Sequence, residues 1–358
     1  MNKIVLLIVF LMVISCSDND VNTPLSEVEN TTFIAAVDIS SYPEIANSNP
    51  LFYDLEGNQS NFLTILKNNG VNTIRLRLWV DPSTQHSSFN EVQQFSNTLK
   101  ANGFKTWLTV HYSDTWADPG QQETPAQWQG IAFTQLKNNV YEYTENIVTE
   151  LRPDYIQIGN EINTGFLHPH GHISDNFLQF KELMETAISA VRTNANDTKI
   201  ILHFAGLDGA DWFYNQVSEL DYDIIGLSYY PMWHGKSLTT LKNTMQNLST
   251  SYDKEIVIAE TAYPFTLQWN DWTNNIVGLN EQLILPEYPA TMEGQQNFIK
   301  QIKTVTKEIE NGIGFCYWGA ELIAWKGTQS TEASPWENQA LFDFNNNALP
   351  VLREFSNE

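Results

Sequence analysis

Two glutamates in this chain stand where apolar runs stop, and together they could do chemistry. Tyr155-Ile156-Gln157-Ile158-Gly159-Asn160-Glu161 alternates as a buried strand does and ends in an amide followed by a carboxylate. Glu255-Ile256-Val257-Ile258-Ala259-Glu260-Thr261 repeats the pattern, with a lone glutamate at its C-terminal end. Breaking a glycosidic bond takes a proton donor at the leaving oxygen and a nucleophile, or an activated water, at the anomeric carbon. Two carboxyls supply both if their surroundings hold their pKa values apart. Asn160 could hydrogen-bond a sugar 2-hydroxyl, Tyr229 or Tyr230 could hold the nucleophile, and Arg75 could keep it ionised through a charge-assisted bond. The plainer alternative is a pair of strand-end glutamates neutralised by Lys or Arg. It has few partners to draw on, since 42 acidic residues face 19 basic ones.

The elements that would position this pair follow from hydrophobic period and stop signals. Strands are expected over 33–39, 73–79, 104–111, 155–160, 199–203, 224–229, 256–260 and 314–318. Helical patterns fall over 61–69, 91–101, 133–151, 176–193, 210–217, 238–251 and 293–310, several closed by Asn-Gly or Gly. Eight strand–helix cycles without a break in composition point to a single (β/α)8 TIM barrel, with the active site at the C-terminal ends of the strands. Asp38, Trp79, His111, Glu161, His203, Tyr229, Glu260 and Trp318 all lie at or just past an expected strand end, so one rim would be lined with polar and aromatic groups.

Composition limits the partners. A net charge of −23 repels phosphate backbones and anionic membrane surfaces, which argues against nucleic acid. Aromatic residues make up 12% of the chain, with 11 Trp and 14 Tyr, a supply that suits a neutral sugar stacking its apolar face on a ring. His111, His168, His170 and His172 raise a zinc reading. The run His168-Pro169-His170-Gly171-His172 has no strand or helix to frame it and reads as a loop, and neither HExxH nor a phosphate-binding loop occurs.

At the N-terminus, Lys3, the apolar run 4–14 and Ser15-Cys16 resemble a bacterial lipoprotein signal, too short to span a bilayer as a mature helix. Residues 1–15 are then a signal peptide, Cys16 the lipid-bearing first residue, 16–32 a tether and 33–358 the catalytic domain; an ordinary secretory signal is the alternative. Ser17-Asp18-Asn19-Asp20 resembles surface-export signals of Gram-negative lipoproteins, which would place the protein on the outer membrane, touching it only through the lipid. Cys316 is left as a lone buried thiol, so no disulfide is expected.

More specific strings sharpen the chemistry. Asn160-Glu161 with Glu260 resembles clan A of the retaining glycoside hydrolases. The strings Val37-Asp38-Ile39-Ser40-Ser41-Tyr42, Thr73-Ile74-Arg75-Leu76-Arg77-Leu78-Trp79-Val80 and His111-Tyr112-Ser113-Asp114-Thr115-Trp116-Ala117-Asp118-Pro119-Gly120 are similar to glycoside hydrolase family 53, the endo-β-1,4-galactanases. Gly226-Leu227-Ser228-Tyr229-Tyr230-Pro231 and Ala259-Glu260-Thr261 extend the likeness, which covers about 37–342. The resemblance implies hydrolysis of galactan with retention, by a monomer, with Glu161 as acid/base and Glu260 as nucleophile. It implies Asp38, Arg75, Trp79, His111, Asp114, Trp116, Asn160, His203, Tyr229 and Trp318 around the sugar. A β-glucanase or mannanase of the same clan, and a glycan-capture lipoprotein that does not cleave, are the competing readings. Some bacterial members carry an acidic calcium loop after strand seven, whereas 265–275 here holds one acid, Asp271, so a structural calcium is doubtful and no other cofactor is implied. Trp269, Trp272, Trp325 and Trp336 are candidates for outer sugar subsites.

Overall fold

The computed structural model describes residues 32–356. The proposed signal peptide, Cys16 and nearly all of the tether lie outside the described residues. Eight parallel strands close into a barrel in which each strand pairs with its neighbours in the chain: β1 Ile34–Asp38, β2 Thr73–Leu78, β3 Lys105–Val110, β4 Tyr155–Ile158, β5 Lys199–Ala205, β6 Ile224–Ser228, β7 Glu255–Thr261 and β8 Gly312–Trp318. The expected (β/α)8 architecture is therefore the observed one.

Period-two alternation divides each strand between two cores. Outward residues such as Val37, Ile74, Leu108, Ile156 and Ile258 pack against the helices in one large cluster. Inward residues form a second, smaller one: Ile34, Ala36, Trp107, Tyr155, Ile201, Ile224, Val257, Ala259 and Cys316 fill the lower barrel. Above them the inward positions turn polar, with Arg75, Thr109, Gln157 and His203 all buried. The barrel has a dry floor and a hydrogen-bonded mouth.

The helices obey their own period. In Phe133–Glu150 the buried positions are Leu136, Val140, Thr144, Ile147 and Val148, one stripe facing the barrel. Asn61 and Ser88 cap the helices Phe62–Asn68 and Phe89–Ala101 by accepting backbone N–H bonds. The eighth cycle departs from the expected alternation. No α-helix follows β8 among the described residues; the chain closes instead with the short 3-10 turn Pro350–Phe355, whose Phe355 ring lies 5.2 Å from Phe315. Cys316 is buried and free, as the sequence implies.

The closing turn sets a tight condition at Gly70. This residue has φ +94°, and a Cβ there would stand 2.6 Å from Ser356 Cα and 2.7 Å from the Phe355 carbonyl oxygen. Backbone cannot yield as a side chain can, so Gly70→Ala should destabilise the fold by roughly 2–3 kcal/mol in denaturant unfolding, with far-ultraviolet circular dichroism unchanged. A loss under about 0.5 kcal/mol would show that the C-terminal turn does not seal the barrel.

Candidate active site

The mouth is organised around the Arg75 side chain, which rises from β2 and is 1% exposed. Its Nη1 donates to Asp38 Oδ2 at 2.8 Å, and its Nη2 donates to Glu260 Oε1 at 2.8 Å and Asn160 Oδ1 at 2.9 Å. Burial alone would lower its pKa, yet Glu260 and Asp38 outweigh that and hold it above the ordinary value, so it stays a cation. Trp107 lies beneath, its ring 5.7 Å from the guanidinium carbon.

The two glutamates face each other across this mouth, with a carboxylate oxygen of each within 4.8 Å. Their surroundings differ. Glu260 accepts from Arg75 and, through Oε2, from the Tyr230 hydroxyl at 3.0 Å. Glu161 has no cation in contact; its Oε1 accepts from the Ser228 hydroxyl at 2.5 Å. Burial, then the charge of Glu260, pushes the Glu161 carboxyl up to about 8, with Ser228 and Arg75 pulling the other way. Burial also raises Glu260, but its ion pair with Arg75 and the Tyr230 hydroxyl bond favour the anion, so of the two Glu161 holds the proton near neutrality.

Backbone geometry at the tip of β4 presents Glu161. Gly159 has φ +76° and Glu161 φ +45°, so the chain leaves the strand in a sharp left-handed turn. Strain at Glu161 is offset by two bonds to β5: the Ile162 N–H donates to the His203 carbonyl at 2.9 Å, and the Glu161 N–H reaches His203 Nδ1 at 3.4 Å.

A cleft of about 430 Å³ opens above the pair, lined among others by Trp116, Asn160, Glu161, Tyr230, Trp233, Glu260, Trp318 and Trp336. Ring centroids run Trp116 to Trp318 at 6.0 Å, Trp318 to Trp336 at 4.7 Å and Trp336 to Trp233 at 6.3 Å, a continuous aromatic wall. Trp116 is held from behind, since the Arg77 guanidinium lies 3.9 Å from its ring and 4.5 Å from that of Trp79.

The residues expected at the site thus fall into three groups. Glu161, Glu260, Asn160, Trp116 and Trp318 line the cleft. Asp38, Arg75, Trp79, His111 and His203 are buried behind it and hold the lining in place. His111 Nδ1, for example, accepts from the Ala117 N–H at 3.0 Å, and the Ala117 carbonyl accepts from Asn160 Nδ2 at 2.8 Å. Two residues are elsewhere. Asp114 uses both oxygens to clamp loops, accepting from the N–H of Asp81 and of Ala126. Tyr229 points into the outer core and donates to the Gly235 carbonyl, because alternation continued past β6 turns it away from the mouth; its neighbour Tyr230 takes the place beside Glu260.

Sequence reasoning passed over Ser228 and Gln157, although a polar residue in a run as apolar as 155–158 is a visible signal. It also missed Trp233. Of the outer-subsite candidates, only Trp336 is on the cleft; Trp269 and Trp272 are exposed on the loop after β7, and Trp325 packs against the core edge. Another buried acid, Glu321, accepts from the Ser41 N–H, and burial beside Asp38 pushes it up to about 8.

Metal chemistry has little to work with here. Among the described residues one trio of His, Cys, Asp or Glu brings ligand atoms together, namely Glu161, His203 and Glu260. Both His203 nitrogens are engaged, Nδ1 with Gln157 and Nε2 with Ser228, which leaves no lone pair for an ion. Asp271 Oδ2 in the loop after β7 and Glu337 Oε2 in the segment after β8 are buried without a partner. Two carboxylates do not make the six to eight oxygens that calcium takes. His168, His170 and His172 each have a partner of their own in Thr164, Gln179 and Asp175.

Known proteins share this whole frame. The sequence is 33% identical over 350 residues to an arabinogalactan endo-β-1,4-galactanase of Cellvibrio japonicus, covering 91% of each chain. It is 29% identical to an endo-β-1,4-galactanase of Bacillus subtilis, over 91% of this chain and 86% of that one. The family 53 catalytic domain of Ignisphaera aggregans superposes with a TM-score of 0.85 at 38% identity, over 91% of this chain and 96% of the other. The profile of glycosyl hydrolase family 53 matches residues 34–355, nearly the entire described barrel, and the chain belongs to that family.

Proposed function

We propose that this protein is an endo-β-1,4-galactanase that cleaves the galactan side chains of pectin with retention at the anomeric carbon. The observation that carries the mechanism is the close approach of two carboxyls in unequal surroundings. Their nearest oxygens lie within 4.8 Å, on the side of the ~5–5.5 Å separation of retaining enzymes and short of the ~6.5–9.5 Å that leaves room for an inverting water.

In this reading Glu260, ionised beside Arg75, attacks the anomeric carbon, and Glu161 gives its proton to the departing glycosidic oxygen. A galactosyl ester on Glu260 results. Glu161, now a carboxylate, takes a proton from water, which attacks the same carbon and frees Glu260. Trp116 and Trp318 stack on the sugar faces, Asn160 bonds the 2-hydroxyl, and Trp336 and Trp233 carry further units along the chain. Two-carboxylate chemistry needs no cofactor, and we assign none.

Offered galactan, cellulose and mannan in parallel, the protein should release reducing ends from galactan alone, and the first product seen by proton NMR should be the β-anomer. An α-anomer appearing first would overturn retention, and preference for another polymer would overturn the substrate. Glu161→Gln should cut kcat on galactan by about 10²–10⁴-fold, and Glu260→Ala by about 10³-fold or more. Because Glu161 must be protonated and Glu260 ionised, kcat/KM should fall on the acid side as Glu260 takes up a proton, and fall tenfold per unit above about 8 as Glu161 loses its own.

Arg75→Met removes the cation shared by Asp38 and Glu260. Leaving two buried anions unpaired should cost about 3–5 kcal/mol of stability. It should also raise the pKa of Glu260, so the acid limb of the pH profile moves to higher pH. An acid limb that stays in place would show that Arg75 does not keep Glu260 ionised.

We further propose that the protein is exported and anchored by a lipid on Cys16, on the surface of the outer membrane, as a monomer. Lys3, the apolar run 4–14 and Ser15 before Cys16 support the anchor. Labelled palmitate should enter the wild type and not Cys16→Ala, which should leave the membrane fraction; equal labelling of both would sink the idea.

A further inference from the structure

A line of hydrogen bonds links the buried Arg75 cation to the far glutamate, and the fixed donors at its start give it a direction. Arg75 has donors only, and its Nε and Nη2 both lie 3.3 Å from Gln157 Oε1, which fixes which end of that amide is oxygen. The Gln157 NH2 group therefore points the other way, to the Gly159 carbonyl at 3.0 Å and to His203 Nδ1 at 2.9 Å. A second N–H, that of Glu161, also approaches His203 Nδ1. Two donors converging on one nitrogen make it the unprotonated one. Asn160 Oδ1 lies 3.2 Å from the same nitrogen and accepts from the same Gln157 amide, so it is a fellow acceptor.

The remaining links follow. Burial, with Arg75, His111 and His234 nearby, holds His203 well below its ordinary pKa, so the ring is neutral and its one proton is on Nε2. Nε2 lies 2.8 Å from Ser228 Oγ and must donate to it. Ser228 then has its single proton free for Glu161 Oε1, 2.5 Å away.

We propose that Gln157, His203 and Ser228 form a one-way hydrogen-bond chain, polarised by Arg75, which locks Glu161 Oε1 as a permanent acceptor and so places the transferable proton on Oε2. These three are positioning residues and do not touch the sugar. Reversal would put a proton on His203 Nδ1, against the N–H groups of Gln157 and Glu161 that face it, so the chain does not carry the catalytic proton away. Glu161 exchanges it only with the leaving oxygen or with water in the cleft. The idea deepens the proposed mechanism and rests on Glu161 being its acid/base.

Other groups around Glu161 set its background: Glu260 from β7 and Asp118 from the loop after β3 raise its pKa, and Arg75 lowers it. Tyr230 and His234, which follow β6, complete the wall. Against that background the Ser228 hydroxyl favours the carboxylate form, so its removal should raise the pKa of Glu161.

Two measurements test the chain. In protein labelled with 15N-histidine, His203 should show the neutral Nε2–H tautomer with no titration between about pH 5 and 9. An Nδ1–H tautomer or a titrating ring would overturn the proposal. In Ser228→Ala, kcat/KM on galactan should fall on the order of tenfold, and its basic limb should move to higher pH, whereas Ser228→Thr, which keeps the hydroxyl, should restore the wild-type limb. A basic limb that stays where it was in Ser228→Ala would overturn the link to Glu161. Undiminished turnover of galactan by Glu161→Gln would instead remove the acid/base assignment, and the tautomer of the wild-type ring would still decide the direction of the chain.

Discussion

One buried guanidinium governs the mouth of this barrel. A charge taken out of water costs several kcal/mol even after relaxation, so Arg75 is tolerable only because each face of it meets an acceptor. Asp38 and Glu260 supply the countercharge, and Asn160, Gln157 and Thr109 take the remaining N–H groups. The requirement runs both ways. Asn160 must turn its oxygen inward, which leaves its Nδ2 for Ala117, and Gln157 must do the same, which sends its amide to His203. Side chains from five strands are thus oriented by a single cation.

The inequality of the two glutamates has its origin in how each leaves its strand. Glu260 sits within β7, at a register shift against β6 and β8, where its carboxylate meets the guanidinium rising from β2. Glu161 lies beyond the end of β4, carried by the left-handed turn to the side of β5 and β6, where only neutral donors await it. Backbone strain of this kind costs on the order of 1–3 kcal/mol and persists only when its surroundings over-determine it. Here the strain is what separates the acid from the cation. Two carboxyls equally close to Arg75 would both ionise, and neither could donate a proton.

Much of this was legible in the sequence because a parallel barrel obeys a simple placement rule. Strands alternate in and out, ligands gather at their C-terminal ends, and Asp38, Glu161, Glu260 and Trp318 could be located by counting. Counting fails where a strand ends. Tyr229 and Tyr230 differ by one position, hence by a reversal of face, and both lie just past the end of β6, where the sequence does not show which of them meets Glu260. The closing segment is a different case: no helical pattern follows 314–318, and alternation of pattern does not foresee that a 3-10 turn ending in Phe355 packs beside β8 instead. Asp114 sits in the most distinctive string of the chain, yet it acts on loop backbone. A motif reports that a loop is retained without saying which of its side chains touch substrate. Gln157 stands out in its apolar run, yet its role and that of Ser228 lie in the direction of a hydrogen bond, and that exists only once β4, β5 and β6 stand side by side.

Charge and recognition act at separate distances in this molecule. The chain as a whole carries −23, while the cleft presents tryptophan faces backed by Arg75 and Arg77, both buried. At physiological salt the field of surface carboxylates decays over about 8 Å. It therefore acts on a polyanionic pectin backbone that comes near the surface and leaves a neutral galactan unit inside the cleft almost untouched. The aromatic wall completes the distinction, since a ring face gains contact from the apolar side of a sugar and offers a uronate carboxyl nothing to offset its lost hydration. The acids on the cleft itself, Asp118, Glu161 and Glu260, act in the same direction, so an aromatic groove within an acidic surface suits a neutral unit better than an anionic one.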